Sequence, residues 1–180
     1  MAHNGNLTNT GDLAELVQKL DADAPKNARG ATTDTEIMTA LIGLQDEKNV
    51  EASALAVLPK LEGAFSLVFM DERTLYAARD RHGVRPLVIG KLDRGWVVAS
   101  ESAALDIVGA AFVREVEPGE FLAINEDGIR SQMWATPDPK GCIFEYVYLA
   151  RPDTTIAGPV SYTHLRAHET GRNLVCRLLL

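Results

Sequence analysis

Apolar residues in the first third of the chain recur at helical spacing. The spacing i, i+3, i+4, i+7 predicts a helix over residues 10–20, capped by Thr10, whose apolar face consists of Leu13, Leu16, Val17 and Leu20. Residues 33–36 (TDTE) have the form of a capping box ahead of a second amphipathic helix. A third helix is predicted over residues 50–58, and Pro59 ends or kinks it.

After Gly63 the pattern changes to short apolar runs of strand length. Predicted strands cover residues 64–70, 75–79, 85–90, 95–99, 121–125 and 129–133. Tight turns join them pairwise into hairpins, and Ser100 is the predicted cap of a short helix over residues 103–108. Helices followed by hairpins predict an α+β fold with antiparallel sheets rather than a doubly wound parallel sheet.

Proline and glycine mark a boundary near the end of these hairpins. Pro137, Pro139 and Gly141 predict a linker, and the apolar run at residues 143–150 predicts a new strand that enters another domain. We therefore divide the chain into a first domain at residues 1–136, a linker with the start of another domain at residues 137–158, and a tail at residues 159–180.

Composition narrows the class of protein. The chain has 180 residues, 46% of them apolar, and a formal net charge of −7. An acidic chain lacks the basic stripe that phosphate backbones require, so we expect no nucleic-acid partner. No apolar run is long enough to span a bilayer, and the first residues lack a signal-peptide pattern. Two cysteines do not make a disulfide scaffold, so a reducing cytoplasm is the expected location.

Two short motifs carry candidate chemistry. Asn4 and Gly5 offer a side-chain amide and an accessible backbone N–H, the two donors that an oxyanion hole needs. Asn-Gly is also the commonest turn dipeptide, and the residues alone favour the turn. Asp34 lies at a helix start, where a carboxylate binds a substrate ammonium group or simply caps the helix; base rates favour the cap.

A third segment, residues 79–87 (RDRHGVRPL), predicts a charged turn that forms a buried corner between strands. His82 lies in this loop and receives no role.

Seven segments, taken in order, resemble one enzyme family. They are AHNGNLTNT, GATTDTEIM, LEGAFSLVFMDE, ARDRHGVRPLVIGK, VVASESAALD, VEPGEFLAI and CIFEYVYLARPDT, and together they resemble amidophosphoribosyltransferases over residues 2–158. The resemblance implies part of an N-terminal-nucleophile (Ntn) hydrolase, a four-layer αββα sandwich with antiparallel sheets. A glutaminase related to asparagine synthetase and a nucleophile-free binding module of the same fold are the alternatives.

The resemblance also implies an activity and roles for residues. The family converts phosphoribosyl pyrophosphate and glutamine to 5-phosphoribosylamine, glutamate and pyrophosphate, the first step of purine synthesis. By resemblance, Asn4 and Gly5 hold the oxyanion, Asp34 binds the glutamine α-ammonium group, and the corner at residues 85–87 is structural.

Cofactors and assembly follow from the same resemblance. It implies Mg²⁺ in the phosphoribosyltransferase half and a homo-oligomeric parent enzyme. Cys142 matches the position at which some members place one ligand of a [4Fe-4S] cluster, and the alternative is a buried structural thiol.

Both ends of the sequence depart from the family. The catalytic cysteine of the family is the first residue of the mature chain, whereas Ala2 here follows Met1. We therefore expect the 180-residue chain by itself to be an inactive and poorly soluble fragment. Residues 161–180 (SYTHLRAHETGRNLVCRLLL) resemble a translated sequencing-library adapter, so residues 159–180 are expected to be a non-native tail.

Overall fold

A computed structural model describes residues 1–21, 33–151 and 154. The predicted non-native tail at residues 159–180 therefore lies outside the described residues. The chain divides into two compact units. The first includes the described residues of Met1–Arg85 and Glu117–Pro139, and the second includes Pro86–Val116 and the described residues after Pro139.

The first unit contains three helices and five strands. The helices are α1 (Thr10–Leu20), α2 (Asp34–Gly43) and α3 (Val50–Val57), followed by a 3₁₀ turn at Leu58–Lys60. The strands are β1 (Ala2–Leu7), β2 (Gly63–Met70), β3 (Leu75–Arg79), β7 (Glu120–Asn125) and β8 (Gly128–Met133).

The five strands form one antiparallel sheet in the order β1-β2-β3-β7-β8. Alternate residues of β2, namely Phe65, Leu67 and Phe69, join an apolar cluster with the buried faces of α1 and α2. Leu7 of β1 belongs to the same cluster, so this face of the sheet carries the helices. The residues between them, including Ser66, face the opposite side.

The second unit contains a smaller antiparallel sheet in the order β5-β4-β6. Its elements are β4 (Val88–Leu92), β5 (Gly95–Ala99), α4 (Ser102–Val108) and β6 (Ala111–Glu115), followed by a π-helical turn at Glu145–Leu149. A small apolar cluster of Val88, Leu105 and Ala110 underlies this sheet.

The antiparallel α+β class is confirmed, and so are most of the predicted elements. The capping box is present: the Thr33 hydroxyl accepts from the Glu36 N–H, and the Glu36 carboxylate accepts from the Thr33 N–H. Pro59 does end α3, one residue earlier than predicted. No helix among the described residues is long and apolar enough to cross a membrane.

Four local predictions are wrong. Asn9 rather than Thr10 is the N-cap of α1, and Glu101 rather than Ser100 is the N-cap of α4. Strand β4 begins three residues later than predicted, since Pro86 has no N–H to donate to a ladder. The predicted strand at residues 143–150 is instead a π-helical turn, because a short apolar run does not distinguish a strand from a helical segment.

Candidate functional site

Asn4 and Gly5 lie inside strand β1, so the prediction of an Asn-Gly turn is wrong. Asn4 is paired with Ser66 of β2, and Gly5 with Phe65. Gly5 has a φ of +139°, and a Cβ at this position would lie 2.0 Å from the carbonyl oxygen of Ala64. Only glycine fits this close approach of the two strands.

Strand β1 is the end strand of the described sheet, so one of its edges has no neighbouring strand there. The N–H groups of Gly5 and Leu7 face this open edge. The Leu7 N–H donates to Asp34 Oδ2 at 2.9 Å, away from β2. Backbone groups of an antiparallel strand alternate with a period of two residues, so the Gly5 N–H faces the same edge. The pairing agrees, since Phe65, opposite Gly5, bonds both its N–H and its C=O to Asp80.

Asp34 reaches this edge from the first turn of α2. The cap of that helix is provided by Thr33 and Glu36, so Asp34 is not used as the N-cap. Its Oδ2 instead accepts from β1, and its negative charge acts on the nearby His3 imidazole. The structure thus brings Asp34 to the strand that carries Asn4 and Gly5.

Asn4 meets a residue whose part in the site was missed by the sequence analysis. Its Oδ1 accepts from Arg85 Nε at 3.2 Å and from Arg85 Nη2 at 2.9 Å. Asn4, Ser66 and Arg79 are directly paired across three strands and form a polar row on the face opposite the helices. No local sequence pattern predicts this contact, because Asn4 and Arg85 are 81 residues apart.

The segment from Arg79 to Arg85 forms the buried corner that the charged turn predicts. Arg79 and Asp80 are both buried. Arg79 donates to the carbonyl oxygens of Gly83 and Arg85, and Asp80 accepts from the Phe65 and His82 N–H groups. These bonds attach the corner to β2, directly opposite Gly5.

His3 was also missed, and it adds a buried polar atom beside the site. Its Nε2 is buried and has no hydrogen-bond partner among the described residues. Burial lowers the pKa of the His3 imidazole, and the Asp34 carboxylate partly opposes this by favouring the charged form. The imidazole is therefore mostly neutral near pH 7.

Cys142 lies in the second unit and is a free thiol of intermediate exposure. Within residues 1–21, 33–151 and 154, no group of three His, Cys, Asp or Glu side chains is placed to hold a metal ion. An iron–sulfur cluster needs several thiolates, so Cys142 alone does not fit one. The role of Cys142 as a cluster ligand stays a prediction.

Comparisons with known proteins place this geometry in a family. The family described as "Glutamine amidotransferase domain" matches residues 1–107. The chain therefore belongs to the glutamine amidotransferase domain family.

The curated relatives carry a more specific name. Amidophosphoribosyltransferases from Mycobacterium bovis and Mycobacterium leprae are 57% and 56% identical to this chain over 176 residues, which is 97% of the chain. The alignments cover 33% and 31% of those proteins, so the chain spans about a third of their length.

Solved structures agree on the fold. The Bacillus subtilis glutamine phosphoribosylpyrophosphate amidotransferase, complexed with ADP and GMP, matches 89% of this chain with a TM-score of 0.79 and 36% identity. The match covers 34% of that protein. A class-II glutamine amidotransferase domain protein from Silicibacter pomeroyi, 22% identical with a TM-score of 0.54, shares the fold. The predicted Ntn-type glutaminase fold is confirmed.

Proposed function

We propose that this chain forms the glutamine-binding and charge-stabilising part of an amidophosphoribosyltransferase. The full-length protein would convert phosphoribosyl pyrophosphate, glutamine and water to 5-phosphoribosylamine, glutamate and pyrophosphate. Its location would be cytoplasmic, its assembly homo-oligomeric, and its transferase half would use Mg²⁺. The relatives, which are 56–57% identical, support this assignment.

One observation carries the proposal: Asp34 and the Gly5 N–H share the open edge of β1. The Leu7 nitrogen that holds Asp34 lies two residues from Gly5, which is roughly 7 Å along a strand. An extended glutamine places its α-ammonium group and side-chain carbonyl oxygen about 5–6 Å apart, with covalent bonds near 1.5 Å. The separation of the two backbone nitrogens is thus of the same order as the length of one extended glutamine, which supports binding of its two ends at Asp34 and Gly5.

Three residues of this chain have separate roles in glutamine hydrolysis. The Asp34 carboxylate binds the α-ammonium group through a charge-assisted hydrogen bond. The Asn4 amide and the Gly5 N–H donate to the oxygen that becomes negative when the carbonyl carbon turns tetrahedral. The resemblance assigns the attacking thiol to a mature N-terminal cysteine, so the described residues account for binding and charge stabilisation only.

The test uses the full-length product of the gene that encodes this chain, with glutamate release from glutamine as the assay. Asn4→Ala removes one oxyanion donor and should lower kcat by about a hundredfold or more. Gln132→Ala is the matched control, because Gln132 is an exposed amide side chain on β8, at the opposite edge of the sheet. Wild-type kcat in the Asn4→Ala variant would refute the proposal.

Asp34→Asn separates binding from chemistry. Asparagine retains an oxygen that can accept from the Leu7 N–H, so β1 should stay in place while the charge is lost. The KM for glutamine should rise by roughly ten- to a hundredfold, since a hydrogen bond to a charged group contributes about 1.5–3 kcal/mol. Synthesis of phosphoribosylamine from added ammonia should survive in both variants, because ammonia bypasses glutamine hydrolysis.

A further inference from the structure

The Arg85 guanidinium group contacts the oxygen of the Asn4 side-chain amide. Its Nε and Nη2 both donate to Asn4 Oδ1, at 3.2 and 2.9 Å. A guanidinium group has donors and no acceptor, so it can face the amide oxygen but not the amide NH₂ group. The two orientations of the Asn4 side chain, which differ by a flip of the amide, are therefore not equivalent.

We propose that Arg85 is a positioning residue that fixes the orientation of the Asn4 amide as an oxyanion donor. With Oδ1 held by the guanidinium, the NH₂ group occupies the other branch of the amide. The donor is thereby pre-oriented, and no rotation has to be selected when negative charge develops on the substrate. This inference rests on the proposed glutaminase function.

Arg85 is itself held in place by two buried side chains. Its carbonyl oxygen accepts from Arg79 Nε at 2.9 Å and from the Ser66 hydroxyl at 3.1 Å. Arg79 and Ser66 are buried, and Ser66 is the β2 partner of Asn4. The main chain at Arg85 is thus fixed to the same strand pair that carries Asn4, which limits the freedom of the guanidinium.

A second anchor lies at Gly83, in the turn before Arg85. Arg79 Nη2 donates to the Gly83 carbonyl oxygen at 2.9 Å. Gly83 has a φ of +60°, and a Cβ there would lie 2.7 Å from Cγ of Pro118. The turn is therefore tightly packed, as expected for a support that must not shift during catalysis.

The expected effect is specific to kcat. Without Arg85 the Asn4 amide keeps both N–H donors but loses the two hydrogen bonds that hold Oδ1, so kcat for glutamine should fall about tenfold, less than for loss of the amide itself. The KM for glutamine should stay within about threefold, because Arg85 is assigned no contact with the α-ammonium group. A general loss of structure would instead change kcat, KM and the melting temperature together.

The experiment compares variants of the full-length protein. Arg85→Met removes the donors, and Arg85→Lys retains one point charge without the two-donor fork, so its kcat should lie between those of Arg85→Met and wild type. Arg73→Met is the matched control, since Arg73 is exposed in the turn between β2 and β3. In the double variant Asn4→Ala/Arg85→Met, kcat should equal that of Asn4→Ala, because no amide remains to be oriented.

Each outcome decides a different claim. If wild type does not hydrolyse glutamine, the proposed function fails whatever Arg85 does. If wild type is active and Asn4→Ala is impaired, wild-type kcat in Arg85→Met overturns the positioning role. Multiplicative losses in the double variant also overturn it, since they show an action independent of Asn4. If Arg85→Met does not fold, Arg85→Lys and its double variant with Asn4→Ala are read in the same way.

Discussion

The two compact units differ in the size of the apolar cluster that packs against their sheets. In the first unit an apolar cluster runs from the helices across the five-stranded sheet, and buried Arg79 and Asp80 beside it are hydrogen-bonded. In the second unit a smaller cluster around Leu105 underlies three strands; Leu87, Ile89 and Val116 are buried as well, while Phe112 is 44% and Ile107 is 77% exposed.

The residues of the candidate site lie in the unit with the larger apolar cluster. Buried polar networks are rigid only when every member is satisfied and firmly packed. Asn4, Gly5, Asp34 and Arg85 all belong to the first unit. The larger apolar cluster therefore supports the candidate site, and we expect the second unit to open more readily in local fluctuations.

Adding one methyl group in each unit should produce the largest difference in stability between the two units. In Gly5→Ala the new Cβ meets backbone at 2.0 Å and the φ of +139° is unfavourable, so the strand pair should lose about 3 kcal/mol or more. In Gly90→Ala of the second unit, the nearest atom, at 2.9 Å, belongs to the flexible side chain of Leu105. The expected loss there is about 1–2 kcal/mol.

Thermal melting and hydrogen exchange of peptides from each unit measure both variants of the full-length protein. Gly5→Ala should also lower the kcat for glutamine hydrolysis by at least about a hundredfold, because the proposed function assigns an oxyanion donor to the Gly5 N–H. Gly11→Ala is the control, since no atom lies within 4 Å of its added Cβ and its φ is not positive. Equal losses in Gly5→Ala and Gly90→Ala would contradict the steric argument.

Two buried leucines, one in each unit, allow the stability of the two apolar clusters to be compared by truncation. Leu67 in the first unit and Leu105 in the second are both fully buried. Truncation to alanine costs about 2–5 kcal/mol, depending on how far the neighbours collapse into the cavity. We expect the loss of stability for Leu67→Ala to lie near the upper end of this range. The loss for Leu105→Ala should lie near the lower end, since the partly buried residues packed around Leu105 can relax into the cavity.

Hydrogen exchange should report each loss in the unit that carries the substitution. Leu20→Ala is the control, because Leu20 is 49% exposed at the end of α1, and its cost should stay below about 1 kcal/mol. A larger loss for Leu105→Ala than for Leu67→Ala would reverse the ranking of the two cores.

The sequence predicted the first unit better than the second. Helices α1 to α3 and strands β2 and β3 followed from periodicity, and the capping box at Thr33 followed from four residues. In the second unit β6 was not predicted, and residues 143–150 received the wrong class. Short apolar runs with little alternation carry a weak local signal, so tertiary packing decides their conformation.

The candidate site shows the same limit within the first unit. Strand β1 was not predicted, because the polar sequence around Asn4 has no alternation and its partner β2 lies almost sixty residues later. Asn4, Gly5 and Asp34 were singled out through the family resemblance. Arg85 was expected to be only structural, since no local pattern predicts a side-chain contact across 81 residues.

Among the described residues of the first unit, His3 has a buried side-chain nitrogen without a hydrogen-bond partner, and we expect only a modest effect from its substitution. Its Nε2 has no partner among the described residues, and burial lowers the pKa of the imidazole below the unfolded value of 6.5. A group whose pKa is lowered on folding stabilises the fold above its unfolded pKa, and this contribution is lost as the pH falls through the folded pKa. Wild type should therefore lose melting temperature between pH 7.5 and pH 5.5, and His3→Gln should lose less, because glutamine does not titrate. Identical pH dependence in the two proteins would show that burial of His3 has no cost in the charged state, and the expected link between its lowered pKa and stability would be wrong.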